Sequence, residues 1–262
     1  MHDQGDSDGD GDMDFMVTRW GNSSAAIYYN DGDTNNDGQL EFTTQETNSN
    51  DYNMEGELFD IDGDGDLDIL LADYLNGEID IFFNDGGRSF SKLTLKGTSR
   101  SPNGLAVGDI DEDGDLDLFV GIRLIAGKYP FPATSYFLIN EKGTFRKANS
   151  KIAPVLENIG MVTDGVFSDI DADGDEDLLL VGEWMEIKVL ENKKGIFIDN
   201  SKSFGINEET RGIYWSITAN DIDNDGDDDY VIGNLGKNNK FKASKEHPFK
   251  VFANDFDSNG SN

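Results

Sequence analysis

The feature that most constrains this chain is an acidic nine-residue loop that occurs five times. The copy at residues 109–117 reads D-I-D-E-D-G-D-L-D, with aspartates at loop positions 1, 3, 5 and 9 and a glycine at position 6. Ca²⁺ takes roughly six to eight oxygen ligands, and the glycine allows the sharp turn by which alternate side chains converge. Position 12, where a helix–loop–helix site carries a bidentate glutamate, is Val120 in an apolar run. The loop is therefore predicted to bind Ca²⁺ between strands.

The five copies keep the same register, and their first aspartates lie 54, 49, 60 and 52 residues apart. In each copy we predict that the carboxylates at positions 1, 3, 5 and 9 and the backbone carbonyl at position 7 bind one structural Ca²⁺, about five ions in all. The residues at these positions are Asp6, Asp8, Asp10, Asp12 and Asp14; Asp60, Asp62, Asp64, Asp66 and Asp68; Asp109, Asp111, Asp113, Asp115 and Asp117; Asp169, Asp171, Asp173, Asp175 and Asp177; and Asp221, Asp223, Asp225, Asp227 and Asp229. Solvated acidic turns without metal are the alternative, but solvation does not explain the fixed spacing.

Two further segments match the loop pattern less completely. One reads D-x-N-x-D-G-x-x-E, lies in a hairpin of the first repeat, and is either an extra Ca²⁺ site or a long polar turn. The other begins a sixth copy that the last residue interrupts. Their possible ligands are Asp33, Asn35, Asp37 and Glu41 in the first segment and Asp255, Asp257 and Asn259 in the second.

Short apolar segments precede and follow each loop. Residues 67–72, 116–120 and 178–181 are continuous runs typical of strands that are buried on both faces. Two more segments follow on either side of a turn such as 140–143, whose Asn and Gly are typical of a β-hairpin. Each unit of about 50 residues is therefore predicted to form four antiparallel strands.

Repeated four-stranded units of this length predict an all-β fold, a β-propeller in which radial stacking of the blades buries both faces of every sheet. We expect about five to six blades, as part of a seven-bladed propeller. The repeats are expected at 1–50, 51–98, 99–150, 151–205, 206–247 and, in part, 248–262, within a single domain that is truncated at both ends. A row of β-sandwich modules is the alternative, but each module would need about 100 residues.

The composition excludes several classes of function. Asp and Glu number 53 against 21 Lys and Arg, which gives a net charge of −32, so nucleic acid phosphates would be repelled. Five bound Ca²⁺ would reduce this charge to about −22 and relieve part of the self-repulsion. An apolar run of about 18 residues, as a membrane-spanning helix needs, does not occur. The absence of Cys excludes thiol chemistry.

The repeated units resemble the FG-GAP/VCBS repeat, the calcium-binding blade of integrin α-subunit propellers and of many bacterial surface proteins. Segments 121–136, 181–185 and 229–244, with Asp255-Phe256-Asp257, are similar to VCBS-repeat proteins associated with ASPIC/UnbV domains. This resemblance implies a secreted or surface-attached bacterial protein in which the propeller is joined to other domains. It implies no established enzymatic activity.

A second group of candidate residues lies just beyond the strand that follows each loop. Six residues past the last ligand stand Trp20, Tyr74, Arg123, Glu183 and Leu235, and Trp184 comes next. Aromatic side chains and an arginine at strand ends can bind a ligand, and Arg123, Tyr129 and Trp184 are our candidates. The alternative is that Trp20, Tyr74, Trp184 and Trp215 pack between blades, that Arg123 pairs with an internal aspartate, and that Glu183 and Glu186 form a solvated strand end.

Two functions are compatible with these patterns. The first is an extracellular or cell-surface binding or adhesion module that is stabilised by Ca²⁺ and recognises a protein or a glycan. The second is a polysaccharide lyase or hydrolase that uses Arg123, Lys128 or Tyr129 beside an incompletely coordinated Ca²⁺. The first is preferred, because the carboxylates are accounted for as metal ligands and no acid–base pair can be distinguished among them.

Overall fold

The computed structural model describes residues 2–19, 24–49, 53–96, 101–148, 150–236, 240, 242–244 and 246–256. These residues form antiparallel sheets and two short 3-10 turns, Pro154–Leu156 and Glu208–Thr210. The strands are β1 His2–Gly5, β2 Asp14–Val17, β3 Ala26–Asn30, β4 Phe42–Glu46, β5 Asn53–Phe59, β6 Asp68–Asp73, β7 Glu78–Asn84, β8 Phe90–Leu95, β9 Pro102–Gly108, β10 Asp117–Ile122, β11 Tyr136–Glu141, β12 Thr144–Lys147, β13 Met161–Ser168, β14 Asp177–Met185, β15 Lys188–Asn192, β16 Phe197–Asp199, β17 Gly212–Asn220 and β18 Asp229–Asn234. Nowhere in the described ranges does a helix have the length and hydropathy that crossing a bilayer requires.

The sheets are the blades of a β-propeller, as predicted. Strands β1–β4, β5–β8, β9–β12 and β13–β16 each form a four-stranded meander in chain order. In the third blade, Leu118 of β10 lies opposite Val107 on one side and Leu138 on the other. Every residue of β6 and β10 is buried, which explains why these second strands are continuous apolar runs and do not alternate with polar residues.

The core lies in layers between successive blades. Leu70, Ile81, Leu105 and Leu118 pack together between the second and third blades. The next layer contains Phe119 and Phe137 with ring centroids 5.8 Å apart, together with residues of β14 and β15. Each fully buried Leu, Ile or Phe contributes about 1.5–3 kcal/mol. The faces that successive blades turn towards each other therefore supply most of the apolar burial that holds the repeats together.

The first strands of successive blades approach one another closely. A Cβ atom on Gly104 of β9 would lie 2.9 Å from Cα of Asp164 on β13, so the contact requires glycine. Asp164 also joins the next blade, because its Oδ2 accepts a hydrogen bond of 2.9 Å from the N–H of Ile217 on β17. Asp3 does the same between the first two blades, where its Oδ2 accepts a 2.8 Å bond from the N–H of Leu58.

The fifth repeat consists of two strands in the part of the chain that the structure describes. Strands β17 and β18 pair with each other, and the end of β14 also pairs with β17 at Glu183–Ile213 and Met185–Gly212. The fourth and fifth blades thus share one continuous hydrogen-bonded sheet. The total of seven blades and the repeat boundaries stay predictions.

Candidate functional site

The backbone of each acidic loop folds around the aspartate at position 1. In the third loop, Oδ1 of Asp109 accepts a bond of 3.1 Å from the N–H of Asp113, and Oδ2 accepts one of 3.0 Å from the N–H of Gly114. Gly114 has a φ of 92°, which a residue with a Cβ adopts only under strain, and this explains the glycine at position 6. The same pair of bonds recurs at Asp60, Asp169 and Asp221.

The aspartate at position 9 is the first residue of the second strand, and it is buried in the first four loops but exposed, as Asp229, in the fifth. Oδ2 of Asp117 accepts a bond of 2.9 Å from the N–H of Ile110 at the start of the loop. Its Oδ1 accepts a bond of 2.7 Å from the N–H of Asn140 at the end of β11. One carboxylate thus ties the loop to the third strand. Burial raises the pKa of Asp117 to about 7, and burial likewise raises the pKa of Asp68 and Asp177 to about 6.

All five loops bring three carboxylates together, with oxygen atoms within 4.8 Å of one another. The second, third and fourth loops use positions 1, 3 and 9, and the first and fifth use positions 1, 3 and 5. The groups are Asp6, Asp8 and Asp10; Asp60, Asp62 and Asp68; Asp109, Asp111 and Asp117; Asp169, Asp171 and Asp177; and Asp221, Asp223 and Asp225. Like charges at this separation repel unless a cation lies among them, and oxygen is the donor that Ca²⁺ or Mg²⁺ prefers. The donor sets therefore fit a hard divalent cation.

The remaining predicted ligands lie in the same loops but outside these groups of three. In the first loop, Oδ2 of Asp14 accepts bonds from the N–H and the hydroxyl of Ser7, at 2.9 and 2.6 Å, where the four other loops have Ile. The carboxylate of Asp115 at position 7 accepts a bond of 2.9 Å from the N–H of Lys142. Ligation by the carbonyls of Asp12, Asp66, Asp115, Asp175 and Asp227 stays a prediction.

The fourth and fifth loops also contact the preceding blade, which the sequence did not reveal. Glu176, at position 8 of the fourth loop, accepts a bond of 3.2 Å from the N–H of Asp109 in the third blade. Asp228, at position 8 of the fifth loop, accepts a bond of 2.7 Å from the hydroxyl of Ser168. A polar residue at position 8 was the available signal. The loops are therefore part of the contact between blades.

The additional segment between β3 and β4 has the backbone of a metal loop. Asp33 accepts bonds from the N–H groups of Asp37 and Gly38, at 2.9 and 2.8 Å, as the position 1 aspartates do elsewhere. Glu41, however, accepts hydrogen bonds from Asn35 and Thr34, and the segment is exposed. Metal binding here stays a prediction. Asp255 is described, whereas Asp257 and Asn259 lie outside the described residues.

The three predicted ligand-binding residues meet at Glu183. Arg123 donates from Nε to Glu183 Oε1 at 2.7 Å, and the Tyr129 hydroxyl donates to Oε2 at 3.0 Å. Trp184 donates from Nε1 to the Tyr129 oxygen at 2.7 Å. The carboxylate partner of Arg123 is thus internal, but it is a glutamate and not the expected aspartate. Glu183 is only 4% exposed, so the expectation of a solvated strand end is wrong for this residue, because the guanidinium replaces the water that burial removes.

Trp184 stands at the wall of a cavity of about 670 Å³ near the end of β14. Its φ of 59° is a left-handed conformation that is rare for a bulky residue and that marks functional sites in many proteins. Arg211 donates to the Trp184 carbonyl at 2.9 Å and to Glu186 at 2.6 Å. Residues Ile213, Tyr214, Asn234, Leu235, Ser244 and Phe249 also line the cavity.

The other aromatic residues have different surroundings. Trp215 is 43% exposed, so the expected packing between blades is wrong for this side chain. Its ring lies 5.4 Å from the guanidinium carbon of Arg123. Trp20 lies outside the described residues, and Tyr74 is half-buried.

The repeated loops and blades agree with the match of this chain to a protein family. The model of the FG-GAP-like repeat matches residues 6–71, 60–120 and 169–232. The chain belongs to the FG-GAP-like repeat family. The finer resemblance to ASPIC/UnbV-associated proteins stays a prediction.

The fold of this FG-GAP repeat chain is similar to that of a solved lectin. The neighbour is an Agrocybe aegerita lectin whose structure is described as the basis of specific recognition of non-reducing terminal N-acetylglucosamine. The two have 18% sequence identity and a TM-score of 0.53; the match covers 88% of this chain and 60% of the lectin. No curated protein matches the chain in sequence.

Proposed function

We propose that this FG-GAP repeat chain is part of an extracellular, calcium-stabilised binding module that recognises a glycan in the cavity at Trp184. The observation that carries the proposal is the combination of a cavity of about 670 Å³ with Trp184, Tyr214 and Phe249 in its wall. Sugar rings have apolar faces that pack on aromatic side chains, and binding cavities of roughly 300–1,000 Å³ are typical. The similarity to a lectin supports the same choice.

The polar groups around the cavity hold Trp184 in place. Its indole N–H is bonded to Tyr129 and its carbonyl to Arg211, so the side chain presents ring surface in a fixed orientation. An aromatic residue that is fixed before binding loses little conformational entropy when a ligand packs on it. Asn234 and Ser244 in the wall supply hydrogen-bonding groups for sugar hydroxyls.

Calcium is proposed as a structural component with about one ion in each of the five loops. When bound, it supplies the positive charge that offsets three crowded carboxylates in each loop. An affinity of about 10⁻⁴–10⁻³ M, typical of extracellular modules, would suit a secreted or surface-attached protein. The parent protein is proposed to be bacterial and to contain further domains, as the family resemblance implies.

A lyase or hydrolase activity is the second candidate, and the site offers it little support. Arg123 and Tyr129 are both bonded to Glu183, and burial raises the pKa of Tyr129, which lowers the fraction of phenolate available as a base near neutral pH. We therefore propose a binding role without catalysis. Saturable binding of a polysaccharide with no release of product is the result that this proposal expects.

The decisive test is glycan binding by two tryptophan variants. Trp184→Ala should weaken binding to a panel of neutral and acidic oligosaccharides at least about tenfold, as truncation of a central aromatic residue does. Trp215→Ala is the matched control, because Trp215 is exposed and does not line the cavity. Equal binding by wild type and Trp184→Ala, with both folded by circular dichroism, would exclude this cavity as the glycan site.

A further inference from the structure

The first acidic loop has an arginine partner that we do not find at the other loops among the residues that the structure describes. Arg88, in the turn between β7 and β8 of the second blade, reaches the position 3 aspartate of the first blade, Asp8. Its Nε donates to Asp8 Oδ2 at 2.8 Å, and its Nη2 lies 2.6 Å from the same oxygen. Nη2 is also 2.6 Å from Oδ1 of Asp31, which follows β3. One guanidinium therefore joins two parts of the first blade to the second.

The surroundings hold Arg88 in this position. Its φ is 65°, a left-handed conformation that non-glycine residues seldom adopt, and its carbonyl accepts a bond of 3.2 Å from Gln45. The guanidinium carbon lies 4.2 Å from the centroid of the Tyr29 ring, within the range of a cation–π contact. The Asp8 side chain is only 7% exposed. An exposed ion pair without such support would contribute little.

The arrangement leaves Asp8 able to bind metal. Both Arg88 donors use Oδ2, and Asp8 still belongs to the group of converging carboxylates with Asp6 and Asp10. A second carboxylate, that of Asp31, balances the charge of Arg88. The Arg88–Asp31 pair is therefore close to neutral, and its repulsion of a cation in the loop is small.

We propose that Arg88 is a positioning residue for the metal at the first loop, and that this loop is a composite site built by two blades. The proposal rests on Ca²⁺ binding by the loops, which belongs to the proposed function. Residues that hydrogen-bond a ligating carboxylate fix its orientation, and their removal typically weakens metal binding about 10- to 100-fold. Binding of the ion at the first loop should then strengthen the contact between the first and second blades.

The fourth loop also has a cation nearby, but its contacts differ from those of Arg88. Lys193 lies 3.7 Å from Asp171 and 3.9 Å from Asp173, beyond hydrogen-bonding distance, and it belongs to the same blade as its loop. Lys193 also pairs with Glu191. It therefore acts as a nearby charge and does not orient a ligand.

The test is a calcium titration of metal-free protein by calorimetry, with the number of bound ions counted by native mass spectrometry. Arg88→Met should weaken one site about 10- to 100-fold and leave the remaining sites unchanged. Arg88→Lys keeps the positive charge but lacks the planar guanidinium with its several donors, so an intermediate loss of Ca²⁺ affinity is expected. Tighter binding by Arg88→Met would identify Arg88 as a competing counter-ion, and unchanged binding would identify a structural ion pair; either result overturns the proposal.

Two controls locate the effect. Arg146→Met removes an exposed arginine near the third loop that pairs with Glu141, and it should change no site by more than about twofold. In an Asp10→Asn background, where the first site is already impaired, adding Arg88→Met should cause little further loss of Ca²⁺ binding, because both substitutions act on one ion.

If wild type binds no Ca²⁺, this proposal and the proposed role of calcium both fail. If wild type binds about five ions and Arg88→Met is unaffected, only the role of Arg88 fails.

Discussion

Replacement of Asp117 by alanine separates two roles of the position 9 aspartate: the hydrogen bonds that it accepts in the fold and its proposed ligation of Ca²⁺. The carboxylate accepts one bond of 2.9 Å from the loop and one of 2.7 Å from the third strand, and it is fully buried. Alanine leaves both N–H groups without an acceptor, at about 1–3 kcal/mol each. The expected loss in the free energy of unfolding is about 2–6 kcal/mol, a large share of the roughly 5–15 kcal/mol of a folded domain.

Asp113→Ala is the matched comparison within the same loop. Asp113 is exposed, and its side chain accepts one bond of 3.0 Å from the N–H of Asp115. In EDTA, Asp113→Ala should lower the free energy of unfolding by only about 0.5–1.5 kcal/mol, whereas Asp117→Ala should show its full hydrogen-bonding loss. In saturating Ca²⁺, both variants should lose additional stability, because both remove a ligand.

The assay is urea unfolding at pH 8, with and without 5 mM CaCl₂, a concentration about ten times the dissociation constant that is typical of extracellular Ca²⁺ sites. This pH lies above the pKa of about 7 that burial gives Asp117, so the carboxylate is ionised, and without metal its ionisation costs stability. The EDTA arm is therefore repeated at pH 6, where the carboxyl is protonated and the hydrogen-bonding loss is measured without that cost. Free energies of unfolding follow from the transition midpoints and slopes. If Asp117→Ala and wild type unfold with the same free energy in EDTA, the hydrogen-bonding role assigned to Asp117 is wrong.

Three further outcomes are expected. Burial, and after it the neighbouring carboxylates, raises the pKa of Glu57 to about 8, so the protonated form of Glu57 stabilises the fold. The melting temperature should therefore fall as the pH rises from about 4.5 through 8, and Glu57→Gln should flatten that profile. Gly104→Ala should lower the free energy of unfolding in urea by about 1–3 kcal/mol, because the added Cβ meets the backbone of Asp164 at 2.9 Å; an unchanged midpoint would contradict that contact. Glu183→Ala should cost about 3–5 kcal/mol by leaving Arg123 without its partner, and the double variant with Arg123→Met should recover part of the loss.

The repeated units were predictable because every step of the argument was local. A fixed spacing of aspartates, a glycine at position 6 and an apolar run after position 9 act within about ten residues, so the pattern of loop and strand follows from them. The structure confirms this order in the four complete blades. Apolar runs without alternation, such as that of β10, also indicated burial on both faces correctly.

Contacts between distant residues were not predictable in the same way. Arg123 and Glu183 are 60 residues apart, and Arg88 and Asp8 are 80 residues apart. No periodicity links such positions, because their meeting depends on how two blades are rotated against each other. The burial of Glu183 was missed for this reason: a glutamate at a strand end resembles a solvated one until its partner is known.

Calcium-dependent melting of this FG-GAP repeat chain tests the central claim most directly. Metal-free protein would be titrated with CaCl₂ while the melting temperature and the number of bound ions are recorded. An ion at 100 times its dissociation constant adds about 2.7 kcal/mol to the free energy of unfolding, so several occupied loops should raise the melting temperature strongly. We predict about five bound Ca²⁺ and this large increase. An identical melting temperature with Ca²⁺ and with excess EDTA, on protein verified to be metal-free, would contradict the account.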